Sequence, residues 1–344
     1  MRDLTKTGFI GGLLLTGMLI AAPSAVQAQG KILRADTDAQ GAPGHTMVIV
    51  ASKIWKREVG ISVQVNDSQT LTRSALKLGS GKLEVMPLPT TVAGFLQKGS
   101  RMYAKKFKKE AIEASKNVAS ILGWLAVTSH PITFVGSGIE KYADIKGKRV
   151  FTGPPSGGAS VASEGLIRAL TGYEPNKDYK AIRMPWGAGL QAMLDGKLDL
   201  FFRPAGLGAA SVEQIGLKKK FIILDAATGN PAGLKKYTAP PHRFVVKIPP
   251  GTYKSQANND RTVTTTGGTF NLGIAKSLPE DMVYKMTKAI WENLGEMQQT
   301  AVTLQSVDPK RPFLGSNVRL HAGAAKYYRE KGISIPAHLA PAGS

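Results

Sequence analysis

Arg149-Val150-Phe151-Thr152-Gly153-Pro154-Pro155-Ser156-Gly157-Gly158-Ala159-Ser160 is the stretch on which the fold turns. A short apolar run ends in a Gly/Pro-rich turn, and small residues then open an amphipathic helical segment, the pattern of a strand feeding a helix. Its sequel is Gly196-Lys197-Leu198-Asp199-Leu200-Phe201-Phe202-Arg203-Pro204, a second apolar strand introduced by Gly-Lys-Leu-acid. The same order occurs earlier. Ile32-Leu33-Arg34-Ala35-Asp36 leads through Gly41-Ala42-Pro43-Gly44-His45 to Gly81-Lys82-Leu83-Glu84-Val85-Met86-Pro87-Leu88-Pro89. A pattern used twice predicts an α/β protein of two similar lobes. Strand C-termini and helix N-termini would face the gap between them, where open α/β sheets bind ligands. That is the geometry of a clamp for a small anion.

The remaining composition narrows the reading. Residues 1–28 read as a signal peptide: Arg2 and Lys6 precede an uncharged run from Phe9 to Ala22, and Val26-Gln27-Ala28 offers small residues for cleavage before Gln29. No later stretch approaches the roughly 20 apolar residues of a membrane span, so an exported periplasmic product of a Gram-negative cell is expected. A chain of 344 residues leaves room for two domains after cleavage. Cysteine is absent and the five histidines (His45, His130, His242, His321 and His338) lack ligand spacing. No disulfide framework, lipid-modified cysteine, thiol nucleophile, metal or other cofactor is therefore expected.

A net charge of +21 raises nucleic acid as a partner. The basic runs Lys105-Lys106-Phe107-Lys108-Lys109 and Lys218-Lys219-Lys220 are short, however, and no nucleic-acid module accompanies them. A solvated basic face that attracts anionic ligands is the reading taken.

Alternating strand and helix runs predict crossover-connected, largely parallel sheets. Separate strands are expected at Ala119–Ala126 and Pro131–Val135, and a long helix over Glu280–Thr300. Ser277 and Glu280 stand at capping-box spacing with Pro279 in its first turn. Met282, Met286, Ile290, Leu294 and Met297 form one apolar stripe, read as packing. The chain is expected to cross twice between lobes, near Trp124 to His130 and between Pro249 and Thr266. This makes lobe I residues 29–126 and 267–344, and lobe II residues 127–266, with a hinge at the crossings.

The helix start at Ser156, Gly157, Gly158 and Ser160 presents unpaired amides and a partial positive charge able to hold a carboxylate or phosphate without a lysine; a tight connection without ligand is the alternative. It lacks the Walker lysine and the spacing of a dinucleotide fingerprint. Gly44, His45 and Thr46 form the matching turn, His45 being either a donor to the gap or a cap. Arg203, at the end of a buried strand, would meet a ligand bidentately or pair with an acid across the lobes. Thr90 offers a hydroxyl at the corresponding edge, Trp186 an aromatic wall or a core side chain, and Thr265 to Thr269 a hinge or a lining. Ser156 follows Pro155 without a Gly-x-Ser-x-Gly frame, no histidine is assignable as its base, and paired carboxylates are missing, so no catalytic residue is expected.

At these residues the chain resembles the TAXI family of TRAP-transporter solute receptors. The likeness is strongest from Gly147-Lys148-Arg149-Val150 through the Gly/Ser turn. It continues at Asp195-Gly196-Lys197-Leu198-Asp199, at Ile248-Pro249-Pro250-Gly251-Thr252-Tyr253, at Leu278-Pro279-Glu280-Asp281-Met282-Val283-Tyr284 and at His321-Ala322-Gly323-Ala324-Ala325-Lys326-Tyr327-Tyr328. The resemblance implies a type II-like periplasmic binding protein with its ligand cleft between two lobes. It also implies a monomer that delivers a small carboxylate or amino acid to a TRAP membrane permease and touches the membrane only through it. Gly44, His45, Thr46, Ser156, Gly157, Gly158 and Ser160 would be ligand-facing. Departures from the family pattern at Ala42-Pro43-Gly44-His45, Leu88-Pro89-Thr90 and Arg203-Pro204 remove polar side chains and add an arginine, which favours an organic anion without an amino group. An ABC-type receptor and an exported hydrolase remain the alternatives.

Overall fold

A computed structural model describes residues 32–341; the expected signal peptide over residues 1–28 lies outside them. In the first half, β1 (Ile32–Asp36), α1 (Pro43–Val59), β2 (Ser62–Asn66), α2 (Leu71–Gly79) and β3 (Val85–Pro89) follow in order. Pro43 supplies a preset φ at the start of α1, and Gly60 ends it in the left-handed conformation at φ 71°, where a Cβ would be strained. Strand β1 pairs in parallel with both β2 and β3. Helices α3 (Thr90–Lys98) and α4 (Lys108–Ser115) then lead to β4 (Val118–Phe134).

The second half repeats the plan. β5 (Arg149–Gly153), α5 (Gly158–Thr171), β6 (Lys180–Arg183), α6 (Trp186–Leu194) and β7 (Leu200–Ala205) form another triplet, with β5 parallel to β6 and β7. α7 (Ala210–Gly216), β8 (Phe221–Ile223), α8 (Pro231–Thr238) and β9 (Arg243–Ile248) follow before β10 (Val263–Ala275). The chain then forms α9 (Glu280–Glu292), α10 (Leu294–Thr300) and α11 (Ala322–Glu330).

The repeat is visible at the level of single bonds. Arg34 on β1 donates to Glu84 and to the Gly81 carbonyl, and its own backbone N–H reaches Glu84 at 2.8 Å. Arg149 on β5 donates to Asp199 and to the Gly196 carbonyl, and its N–H reaches Asp199 at 2.7 Å. In both halves the acid of Gly-Lys-Leu-acid therefore ties the return strand to the strand that opened the unit.

All ten strands belong to one sheet of order β2-β1-β3-β10-β4-β7-β5-β6, with β8 beside β4 and β9 beside β10. The expectation of largely parallel sheets holds inside each triplet, but β10 is antiparallel to β3, β4 and β9, and β4 is antiparallel to β7 and β8, so the sheet is mixed. The two strands expected at Ala119–Ala126 and Pro131–Val135 are one continuous strand, β4. Pro131 lies within it, opposite Phe202 of β7, and its carbonyl accepts the Leu224 N–H at 3.0 Å.

One core is drawn from Leu33 to Ala126 and from Phe270 to Tyr328, and two smaller ones from Ile132 to Val263. The methionine stripe packs as read: Met286, Ile290 and Met297 are fully buried, with Met282 and Leu294 against the same core.

The single helix expected over Glu280–Thr300 is broken at Asn293. Asn293 Nδ2 donates to the Ala289 carbonyl at 2.8 Å, competing with the helical ladder, while its Oδ1 accepts from Arg57 of α1 at 2.8 Å. The capping box is also absent, since Pro279 is the N-cap and no side chain bonds there.

Helix α11 crosses α9 so closely that a Cβ on Gly323 would lie 2.1 Å from the Glu280 carbonyl oxygen. Gly323→Ala is expected to lower unfolding free energy by about 1–3 kcal/mol through overpacking. Gly295→Ala, with nothing within 4 Å of the added methyl, is expected to be neutral or to stabilise by about 0.5–1 kcal/mol through helix propensity. Denaturant midpoints of the two variants, with unchanged slopes, check the contrast.

Candidate functional site

Between the two parallel triplets lies a cavity of about 900 Å³. Its first wall is the loop after β1 (Asp38 to Ala42), Ser68 to Thr70 and the first turns of α2 and α3. Its second wall is Pro154 to Ala159 leading into α5, the Pro185-Trp186-Gly187 start of α6, and Arg203-Pro204 at the end of β7. The floor is Val127 and Ser129 of β4 with Thr266 to Phe270 of β10, and Tyr103, Phe107, Tyr237 and Arg243 also line it. The walls touch. Thr72 Oγ1 donates to the Ser156 carbonyl at 3.3 Å, and a Cβ on Gly158 would stand 3.0 Å from Val92. Ser68 and Ser156, one on each wall, hold left-handed φ angles of 58° and 57° that disfavour any residue with a Cβ.

The helix ends on the two walls are electrostatically unequal. At α1, Asp38 Oδ1 accepts the His45 backbone N–H at 2.6 Å, so the chain supplies its own carboxylate to that positive end. Asp38 faces the cavity, yet the surrounding protein desolvates its carboxyl and pushes its pKa up to about 6; the bonds from His45 and Gly44 and the charge of Arg203 oppose this only in part. At α5 the N-cap is Gly157, no side chain caps the helix, and Gly157 and Gly158 border the cavity. An anion entering from solvent therefore finds one helix end occupied and the other open.

Arg203 stands beside that open end. Its backbone is fixed by a relay: the His130 ring donates from Nδ1 to the Arg203 carbonyl (3.1 Å), His130 Nε2 accepts from the Tyr253 hydroxyl (2.7 Å), and that hydroxyl accepts the Gly208 N–H (2.9 Å). Burial lowers the His130 pKa to about 4, so the ring is neutral and its tautomer is set by these partners. The Arg203 guanidinium lies 5.7 Å from the Trp186 ring centroid. Burial lowers its pKa and Asp38 raises it, but among the described residues no carboxylate forms an ion pair with it. A half-buried, stacked guanidinium with a free N–H fork is built to receive a carboxylate or sulfonate edge.

Of the residues singled out in the sequence, Ser156, Gly157, Gly158, Trp186 and Arg203 line one cavity. Gly44, His45, Thr46, Thr90 and Ser160 sit just behind its surface. Gly44 packs against Pro87 and Asp38, and His45 Nδ1 meets Thr37 Oγ1 at 3.0 Å. Thr46 donates its N–H to Ala42 inside α1. Ser160 Oγ donates to the Gly157 carbonyl at 2.9 Å. Thr90 opens α3, a helix the sequence reading did not contain, and shares a buried network with Thr269 and Asn271. Asp38, Arg73, Arg243 and Tyr237 were not singled out. Asp38 could have been found as an acid two residues past the end of β1, but Arg243 comes to the cavity only through β9 pairing.

His321 caps α11, accepting the Gly323 N–H at Nδ1 while Nε2 faces the Lys276 and Leu278 carbonyls. His130 and His321 thus have structural partners at both ring nitrogens. Among the described residues no group of three or more His, Cys, Asp or Glu is placed to hold a metal, and no helix is long and apolar enough to cross a membrane.

Residues 58–332 match the NMT1-like family. Solved structures of similar overall path include a sugar acid binding protein from Advenella mimigardefordensis in complex with galactonate (14% identity, 89% of this chain and 86% of that one, TM-score 0.46). Another is the periplasmic aliphatic sulphonate binding protein of Escherichia coli (11%, 88% and 80%, TM-score 0.41). A third is a TRAP periplasmic solute binding protein from Ralstonia eutropha H16 with bound (S)-2-acetolactate (11%, 90% and 88%, TM-score 0.45). At such identities no ligand of theirs transfers to this chain.

Asp38 carries a pH signature. Because its folded pKa lies above the ordinary carboxylate value of 3.8, its favourable contribution is complete below about pH 4 and is lost as pH rises through about 6. Relative to Asp38→Asn, the wild-type protein is expected to lose on the order of 1–2 kcal/mol of stability across that window. A stability difference that stays flat from pH 4 to 7 in paired denaturant titrations would contradict the assigned environment.

Proposed function

The chain belongs to the NMT1-like family, and on that premise we propose that it is a solute-binding receptor that closes on an organic anion between two lobes. The observation that carries this reading is the unpaired Arg203 guanidinium beside the open N-terminus of α5, in a cavity whose opposing walls touch. Two donors of positive charge converge on a space from which closure excludes water, and each gains strength as the local dielectric falls.

The lobes are residues 29–126 with 267–344, and residues 127–266. The separate buried cores support that division. The hinge lies where β4 and β10 pass from one core to the other, with a register shift at Gly268/Thr269. The protein acts in the periplasm as a monomer after removal of residues 1–28, and hands its ligand to a TRAP-type membrane permease of the TAXI class. It releases the ligand unchanged; the structural engagement of His130 and His321 supports a receptor rather than a hydrolase.

A thermal-shift screen of carboxylates, amino acids and sulfonates, followed by calorimetry, tests the reading. Arg203→Ala is expected to weaken the best anion by about 2–5 kcal/mol, the range for losing one partner of a desolvated charge pair. Unaltered affinity would remove Arg203 from the site, and a preference for cations or neutral solutes would overturn the anion reading.

A further inference from the structure

Besides Arg203 the cavity is lined by Arg73, which is exposed on the first turn of α2, and by Arg243, which is arranged as Arg203 is. Arg243 lies 4.3 Å from the Tyr237 ring centroid and is steadied by a 3.4 Å bond to the Tyr237 carbonyl. Stacking fixes the plane of each guanidinium and leaves N–H edges for a ligand. Elsewhere in the chain Arg34, Arg57, Arg149, Arg168, Arg183 and Arg311 each hold a carboxylate. Neither Arg203 nor Arg243 does so among the described residues, and both line the same cavity.

Sheet register fixes how far apart they stand. Arg243 on β9 pairs with Gly268 on β10, and Gly268 pairs with Val127 on β4. Further along β4, His130 pairs with Arg203 on β7. Three strand spacings and a short run along β4 put the two Cα atoms on the order of 15 Å apart. The floor between them mixes Val127, Gly267, Gly268 and Phe270 with the hydroxyls of Ser129, Thr266 and Thr269, while Leu71, Leu76, Val92, Met102 and Leu166 give the cavity its apolar lining. The two guanidiniums thus enter the cavity from backbone positions three strands apart, and a cavity of about 900 Å³ is sized for a ligand well beyond an amino acid.

Resting on the receptor reading above, we propose that the ligand is an elongated dianion with an apolar body. One anionic end is held by Arg203 at the mouth of α5, and the other by Arg243 on the opposite side of the floor. Asp38 sits on the Arg203 side and disfavours a further negative charge there, which places the second charge at Arg243.

The test is calorimetry of the purified protein with butanedioate, hexanedioate, octanedioate and decanedioate beside the monocarboxylates of equal length. At least one longer diacid is expected to bind about 10- to 100-fold tighter than its monoacid, the factor for one added hydrogen bond to a charged group. Arg243→Gln should erase that preference by weakening the diacid more than the monoacid, whereas Arg203→Gln should weaken both alike. Should Arg243→Gln fail to fold, Arg243→Lys, which keeps the charge without the fork, is expected to retain part of the preference. Equal affinities for diacids and monoacids, or an Arg243 substitution that weakens both alike, would overturn the second anchor while leaving the anion receptor standing. Failure of every carboxylate to bind would overturn both.

Discussion

The antiparallel pairing of β4 with β10 is the constraint on which the rest of this structure depends. Each strand contributes to the core on either side of the cavity, so the two parallel triplets are joined by a backbone ladder rather than by loops. A ladder resists shear because sliding it by one residue would turn every side chain to the opposite face. It still bends where its register is interrupted, and the shift at Gly268/Thr269 falls on the cavity floor. In the proposed receptor the hinge and the floor of the ligand cavity would therefore be the same backbone.

Charge within the cavity follows from this frame. The duplicated units present two equivalent helix ends, yet they are treated differently: Asp38 neutralises the end of α1, while α5 is left uncapped. A symmetric pair of positive ends would repel one another less than they would attract a dianion, but it would not orient it. Making one end self-satisfied gives the cavity a direction, and in the proposed receptor Arg203 and Arg243 would set the length of its ligand. The raised pKa of Asp38 is the physical trace of this choice, a carboxyl kept in a poorly solvated position because two backbone amides and a nearby guanidinium tolerate it there.

Much of the architecture was legible in the residues. The repeated Gly-Lys-Leu-acid step marked two equivalent strand entries, and in the structure its acids, Glu84 and Asp199, hold Arg34 and Arg149 in the same way. Arg203 and Trp186 were legible as site candidates since a cation at the end of a buried strand has few other uses. What failed were features decided at a distance. The helix over Glu280–Thr300 breaks because Arg57, from another helix, engages Asn293 and Glu296. Thr90 starts a helix instead of ending in the cleft. His45 and Thr46 stay off the cavity lining, and the His45 amide is taken by Asp38.

The sequence by itself determined the duplicated α/β plan and the positions of the turns, because these depend on neighbours in the chain: periodicity and glycine and proline placement. Tertiary structure alone decided that β4 and β10 run unbroken through both cores and that Arg243 reaches the cavity. Those outcomes rest on strand pairing between segments far apart in the chain, and nothing in local spacing records which distant backbone or charge will be brought alongside.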